Sequence, residues 1–181
     1  MRKKEFYVLN SLYNGSIGRA GCTADLERVR ALNNHDTYKT LEKQGLISNS
    51  SLTEAGLKAL EPYRVNNAVI LAAGASTRFI PLSLEQPKGL FEVKGETLIE
   101  RQIQQLQNAG IKNITIVLGY KKEMFYYLED KYGVKFIINV AFNIKNNIES
   151  LYLARKDLKN TYICVSDSYF VENPFNQFEY Q

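Results

Sequence analysis

Apolar positions recur along this chain at two different periods. In residues 3–13, Phe6, Leu9, Leu12 and Tyr13 fall at helical spacing, and Asn14-Gly15 stops the run. A second helix is expected over residues 23–32, with Thr23 as its N-cap and Leu26, Val29 and Leu32 turned inward. A third starts near Asp36, carries Tyr38 and Leu41 and closes at Gly45. Leu46-Ile47 and Leu52-Thr53, around a Ser/Asn turn, then read as a hairpin. His35, at the start of that third helix, reads as a cap or surface residue. Pro62 ends this part, because proline biases the residue before it away from helix.

After about Val65 the pattern changes to short apolar runs alternating with amphipathic ones. Strands are expected over 68–72, 113–118, 134–139 and 161–166, and helices over 97–109, 122–131 and 146–158. Such alternation predicts an α/β fold, a Rossmann-like, mostly parallel sheet with helices on both faces. The first of these helices buries Ile99, Ile103 and Leu106, and Gly110 closes it. The chain therefore divides into residues 1–64 and 65–181. Ligands on such sheets sit beyond the carboxyl ends of the strands. Gly74, Gly119-Tyr120, Asn139 and Asp167 all fall there, so four segments point into one crevice.

Composition narrows the class. Of 181 residues, 45% are apolar, which suffices for a buried core. No apolar run approaches the ~18 residues of a membrane span, and the N-terminus has no apolar signal core. A cytoplasmic protein is expected. Cys22 and Cys164 are far apart and read as reduced, structural thiols. The net charge of +4 lies mostly on residues 1–64, which hold ten Lys/Arg against seven Asp/Glu. That excess is compatible with a nucleic-acid partner but too small to demand one.

The densest chemistry lies between Asn67 and Gly95. An apolar strand ending at Ala72 delivers a small-residue loop, Ala73, Gly74, Ala75, Ser76 and Thr77, followed by Arg78 and by Pro87-Lys88. Residues without bulk let backbone N–H groups approach an anion, and Arg78 and Lys88 supply cations for a polyphosphate. No Gly-Lys-Ser/Thr follows, so this is not a Walker loop, and a dinucleotide fingerprint would need two more glycines.

The order L-A-A-G-x-x-x-R, Pro, Pro-Lys and G-x-x-L-I-E resembles the nucleotidyltransferases that join a nucleoside triphosphate to a phosphorylated small molecule. Among them it is most similar to the LicC-type CTP:phosphocholine cytidylyltransferases. The string LEKQGLISNSSLTEAGLKAL, in turn, resembles the end of a winged helix-turn-helix domain, although Gly15, Gly18 and Gly21 crowd the place where its second helix would begin.

The first resemblance implies catalysis by Arg78 and Lys88, with the nucleotide held by Ala72 to Thr77. It implies Mg²⁺ on Asp167, and base or ribose contacts near Asn139, Asn146, Asn147 and Ser150. An asparagine at a helix start is equally an N-cap. Many relatives carry Asp-x-Asp where this chain has Val165-Ser166-Asp167, leaving one carboxylate. Twelve tyrosines and nine phenylalanines could box a quaternary ammonium, although most of them, Phe125, Tyr126 and Tyr127 among them, are expected in the core. Domains of the resembled family continue for roughly a hundred residues past this aspartate. A fragment with little turnover of its own is therefore expected.

The second resemblance implies phosphate contacts from Tyr38, Lys39 and Lys43 if DNA is bound. Binding no tighter than ~10⁻⁵ M is expected, with partner docking or homodimer formation as the other tasks open to this part. The alternative for the whole chain is a DNA-binding or regulatory protein that keeps the nucleotide fold as a sensor.

Overall fold

The structure is a computed structural model that describes residues 1–18, 35–144 and 147–180. The chain splits into two compact units, Met1–Arg64 with Asn176–Gln181, and Val65–Phe175. Among the described residues, no helix is long and apolar enough to cross a membrane.

In the first unit, α1 (Lys3–Ser16) and α2 (His35–Lys43) precede a hairpin of β1 (Ile47–Ser48) and β2 (Ser51–Leu52), and α3 (Glu54–Leu60) follows. The expected helix over 23–32 and Cys22 lie outside the described residues. Gly45, at φ +70°, takes the left-handed position after α2, and the Leu46 N–H reaches back to the Leu41 carbonyl. Asn49 and Ser50 are both left-handed, as a two-residue hairpin turn requires. Thr53 caps α3 by accepting from the Gly56 N–H at 3.1 Å. The core joins Phe6, Val8, Leu9, Leu41, Ile47, Leu60 and Phe178.

Phe178 marks a departure from the expected boundary. Residues 176–181 were assigned above to the second domain, but Phe178 is fully buried in the first unit's core and Tyr180 stacks on Tyr63. The Glu179 N–H also donates to the Tyr63 carbonyl at 2.8 Å. Burying the Phe178 ring and half-burying that of Tyr180 outweighs the sequence proximity of this tail to the α/β unit.

The second unit holds four parallel strands in the order β7-β6-β3-β8, namely β3 (Asn67–Ala72), β6 (Ile114–Leu118), β7 (Lys135–Ile138) and β8 (Thr161–Val165). Between β3 and β6 stand a short α4 (Leu82–Glu85), the β4–β5 hairpin (Glu92–Val93, Glu96–Thr97) and α5 (Leu98–Asn108). α6 (Tyr127–Tyr132) precedes β7, and α7 (Asn147–Leu153) follows it.

Alternation along β3 sends Ala68, Ile70 and Ala72 to one face, where they pack with Ile99, Ile103 and Leu106 of α5 and Leu128 of α6. Val69 faces the other way, with Val117 and Ala154. Gly110 stands at φ +86° after α5, as its position in the sequence implies. The expected helix over 122–131 is instead a 3-10 turn, Lys122–Phe125, followed by α6. Phe125 is buried, but Tyr126 and Tyr127 are 43% and 41% exposed, contrary to their expected place in the core.

For Tyr127 the partner of its hydroxyl accounts for this. The hydroxyl donates to Glu100 at 2.8 Å, and Tyr132 and Lys131 donate to the same carboxylate at 2.7 Å each. Burial pushes the Glu100 carboxyl up, but the three donors together outweigh it and hold it below the usual carboxylate range. A depressed folded-state pKa gives stability that is complete above the unfolded value and is lost as pH falls through the folded one. Urea unfolding across the acid range is therefore expected to show Glu100→Gln less stable than wild type at neutral pH, with a shallower acid loss. Parallel acid limbs in the two proteins would contradict this.

Candidate active site

The chain runs from β3 outward to β6 and β7, then returns to place β8 on the other side of β3. Strand order reverses between β3 and β8, and such reversals open a crevice at the strands' carboxyl ends. A cavity there is lined by Ala72, Gly74 and Ser76 after β3, by Ser166 and Asp167 after β8, and by Lys88 and Asn147.

The loop after β3 is built for close approach. The backbone N–H groups of Gly74, Ala75, Ser76 and Thr77 donate to no protein acceptor among the described residues. Ser76 stands in the left-handed region at φ +56°, a conformation that costs a non-glycine residue about 1 kcal/mol or more. A Cβ added at Gly74 would meet nothing within 4 Å. The loop thus carries four donors with no acceptor among the described residues, two of them on residues that line the cavity, which suits an anion.

Lys88 enters from a 3-10 turn, Lys88–Leu90. Gly89 lets that turn lie against Ser166, since a Cβ at Gly89 would fall 2.9 Å from the Ser166 Cβ. This approach brings Lys88 Nζ to 2.8 Å from Asp167 Oδ2 and 4.9 Å from the centre of the Phe79 ring. The two side chains are 22% and 38% exposed, so the pair is worth about 0–1 kcal/mol and exchanges readily for a better partner.

Asp167 is held through its neighbours. The Ser166 N–H donates to the Leu71 carbonyl at 3.1 Å, and Gln102 Nε2 donates to the Val165 carbonyl at 3.3 Å. Beyond it, Arg101 binds the Phe170 and Val171 carbonyls at 2.9 and 2.7 Å. No group of three or more His, Cys, Asp or Glu side chains is assembled among the described residues. Asp167 is the one carboxylate among the described residues that line the cavity.

A wider cavity adjoins the first, lined by Ala73, Gly74, Asn139, Phe142, Asn147, Ile148 and Ser150. Asn139 and Ser150 are each only 1% exposed, and Asn139 Nδ2 donates to Ser150 Oγ at 3.0 Å. Asn139 Oδ1 accepts from the Ala141 N–H at 2.9 Å. These two side chains therefore brace the cavity wall, while Asn147 is exposed at its edge. Asn146 lies outside the described residues.

Arg78 is exposed and lines neither cavity, although it follows the loop directly. Sequence reasoning did not single out Gly89, Ser166, Phe142 or Ile148. Gly89 follows Pro87-Lys88 and could have been read as a close-approach position, but Phe142 and Ile148 sit in a stretch without periodicity. At Cys164, burial pushes the thiol up to about 11, so it stays protonated and unreactive at neutral pH.

Residues 68–175 match the family described as the MobA-like NTP transferase domain. The chain belongs to that family. It is 44% identical over 108 residues to the choline-phosphate cytidylyltransferase of Streptococcus pneumoniae, an alignment covering 60% of this chain and 47% of that protein. It is also 44% identical over 104 residues to the 2-aminoethylphosphonate cytidylyltransferase of Lancefieldella rimae, covering 56% of this chain and 42% of that one. The solved structure of CTP:phosphocholine cytidylyltransferase (LicC) from Streptococcus pneumoniae superimposes with a TM-score of 0.61, over 63% of this chain and 50% of the other. The chain thus spans about half the length of the curated relatives it matches.

Proposed function

We propose that the α/β unit binds CTP and serves transfer of CMP to a phosphorylated small molecule such as phosphocholine, with release of pyrophosphate. The observation that carries this reading is the crevice at the strand reversal, lined by Gly74 and Ser76 of a loop whose N–H groups have no acceptor among the described residues, together with Lys88 and Asp167. An oxygen of the acceptor's phosphate attacks the α-phosphorus, and the bond to the bridging oxygen breaks, its electron pair leaving with pyrophosphate. No protein nucleophile is needed. The loop from Gly74 to Thr77 binds the phosphates, and Lys88 turns from Asp167 to the charge that develops on the leaving oxygens. Arg78, which follows the loop directly, adds positive charge on that side.

The donor set fits a divalent cation such as Mg²⁺ only in part. Asp167 supplies one hard oxygen, and phosphate oxygens and water suit the remaining positions. Such an ion, when bound, polarises the phosphoryl oxygens and offsets their charge. Cytidine is favoured because the relatives named above are cytidylyltransferases. Its base is assigned to the wider cavity, beside Asn147 and Phe142.

Titration with CTP, UTP, GTP and ATP in the presence of Mg²⁺ is expected to give the tightest binding with CTP. Equal affinity for all four, or for none, would overturn the assignment. A single carboxylate positions a cation loosely, and a misplacement of about 1 Å can cost ~100-fold in rate. With phosphocholine as acceptor, pyrophosphate release is therefore expected well below ~1 s⁻¹. Turnover at or above that rate would show that Asp167 alone suffices.

The helix–hairpin–helix order of the first unit supports a winged-helix-like module, read as a docking element. Lys39 and Lys43 are exposed on α2, while Tyr38 packs on the core. Duplex binding no tighter than ~10⁻⁵ M at physiological salt is expected in a gel-shift assay. A nanomolar, sequence-selective shift would instead favour a DNA-binding regulator.

A further inference from the structure

Between the phosphate-binding loop and Lys88 runs an arm whose side chains have little to hold them. Phe79, Ile80, Leu82 and Leu84 are each about half exposed, so apolar burial fixes the path only from Pro87 onward, where Pro87, Gly89 and Leu90 are buried. Ahead of Pro87, the arm is held by polar contacts from the turn that follows β6.

Three successive residues of that turn, Gly119, Tyr120 and Lys121, lock it. Gly119 lies so close to the neighbouring loop that an added Cβ would fall 2.7 Å from the Ala73 carbonyl oxygen and 2.6 Å from the Phe142 Cβ. The Tyr120 N–H donates to the same Ala73 carbonyl at 3.0 Å. The Tyr120 hydroxyl donates to the Ser83 carbonyl at 3.0 Å. Lys121 then donates from Nζ to the carbonyls of Leu84 and of Glu85, the latter at 2.9 Å. Those carbonyls are at the C-terminal end of α4, where a cation both pairs open acceptors and meets the negative end of the aligned peptide dipoles. Lys121 itself stands at φ +47°, the region where glycine or asparagine is the easier choice. A lysine kept at a backbone cost, with its ammonium on two carbonyls just ahead of Pro87, is an outlier that points to a task.

We propose that Lys121 is a positioning residue for the nucleotide site. It clamps the C-terminal end of α4, and Tyr120 ties the same turn to Ala73, so one turn sets the distance between the two halves of the phosphate cradle. Lys121 acts through Lys88 and touches no reacting atom. The inference rests on the reading of Lys88 as a phosphate ligand.

Hydrogen exchange and nucleotide titration on the full chain test it. Lys121→Met keeps the aliphatic stem and removes the donors. It is expected to raise amide exchange over residues 82–90 at least tenfold in the nucleotide-free protein, with the strands unaffected, and Lys121→Arg is expected to restore most of the protection. In CTP titrations with Mg²⁺, Lys121→Met is expected to weaken binding five- to tenfold in the wild-type background and not at all in a Lys88→Met background, since a residue acting through Lys88 has nothing left to position. Unchanged exchange over 82–90 overturns the proposal. So does an affinity loss that persists undiminished without Lys88. If wild-type and Lys88→Met proteins bind CTP alike, the phosphate-ligand reading fails, and with it the role in binding, whatever the exchange data show of the arm.

Discussion

Replacing Lys88 by methionine is expected to lower the affinity for a nucleoside triphosphate by ~10- to 100-fold. The variant keeps the stem that packs by Phe79 and removes only the ammonium. Charge-assisted bonds to phosphate contribute about 1.5–3 kcal/mol each, whereas the bond that Lys88 gives up to Asp167 is a partly exposed pair worth about 0–1 kcal/mol. The exchange therefore favours the ligand. Arg78→Ala is expected to have the smaller effect, because its head is solvated and lines neither cavity. Calorimetry on both variants decides the order, and an unchanged affinity for Lys88→Met would remove lysine from the cradle.

Two glycines at the same crevice are expected to respond in opposite ways. Gly119→Ala puts a methyl group 2.6 Å from the Phe142 Cβ and 2.7 Å from a backbone oxygen, neither of which is the free end of a flexible side chain. Overpacking of this kind costs ~1–3 kcal/mol, and urea unfolding should show it without any ligand. Gly74→Ala meets nothing within 4 Å and needs no left-handed backbone, so stability should change by less than ~0.5 kcal/mol. Its methyl group would nevertheless stand on the open face of the loop, and triphosphate binding should weaken. A Gly74→Ala protein that binds as wild type would show that the ligand does not approach this loop closely.

The parts of the fold legible in the sequence are those set by local pattern. The runs at Ala68 and Ile114 gave strands, Ile99, Ile103 and Leu106 gave the buried stripe of α5, and Gly110 gave its end. The convergence of Gly74, Gly119, Asn139 and Asp167 followed from a general property of parallel sheets. What pattern could not supply was contact between distant residues. Lys88 and Asp167 are 79 positions apart, and nothing near either announces the pair. Phe178 follows the last strand in sequence yet packs with Phe6 and Leu9, a choice made by tertiary burial alone. The family resemblance implies base or ribose contacts near Asn139 and Ser150. In the fold they bond to each other, and only coordinates reveal that competition. Lys121, in a backbone region its residue type rarely adopts, was likewise invisible to periodicity.

A nucleoside triphosphate is expected to lie with its phosphates on the loop after β3, between Lys88 and Asp167. Backbone amide shifts recorded while CTP and Mg²⁺ are added to the chain test it most directly. Saturable shifts are expected at Gly74, Ala75, Ser76 and Thr77, whose N–H groups have no acceptor among the described residues, with further shifts at Lys88, Ser166 and Asp167. Millimolar CTP that leaves these amides unmoved, or that shifts residues of the first unit instead, would contradict it.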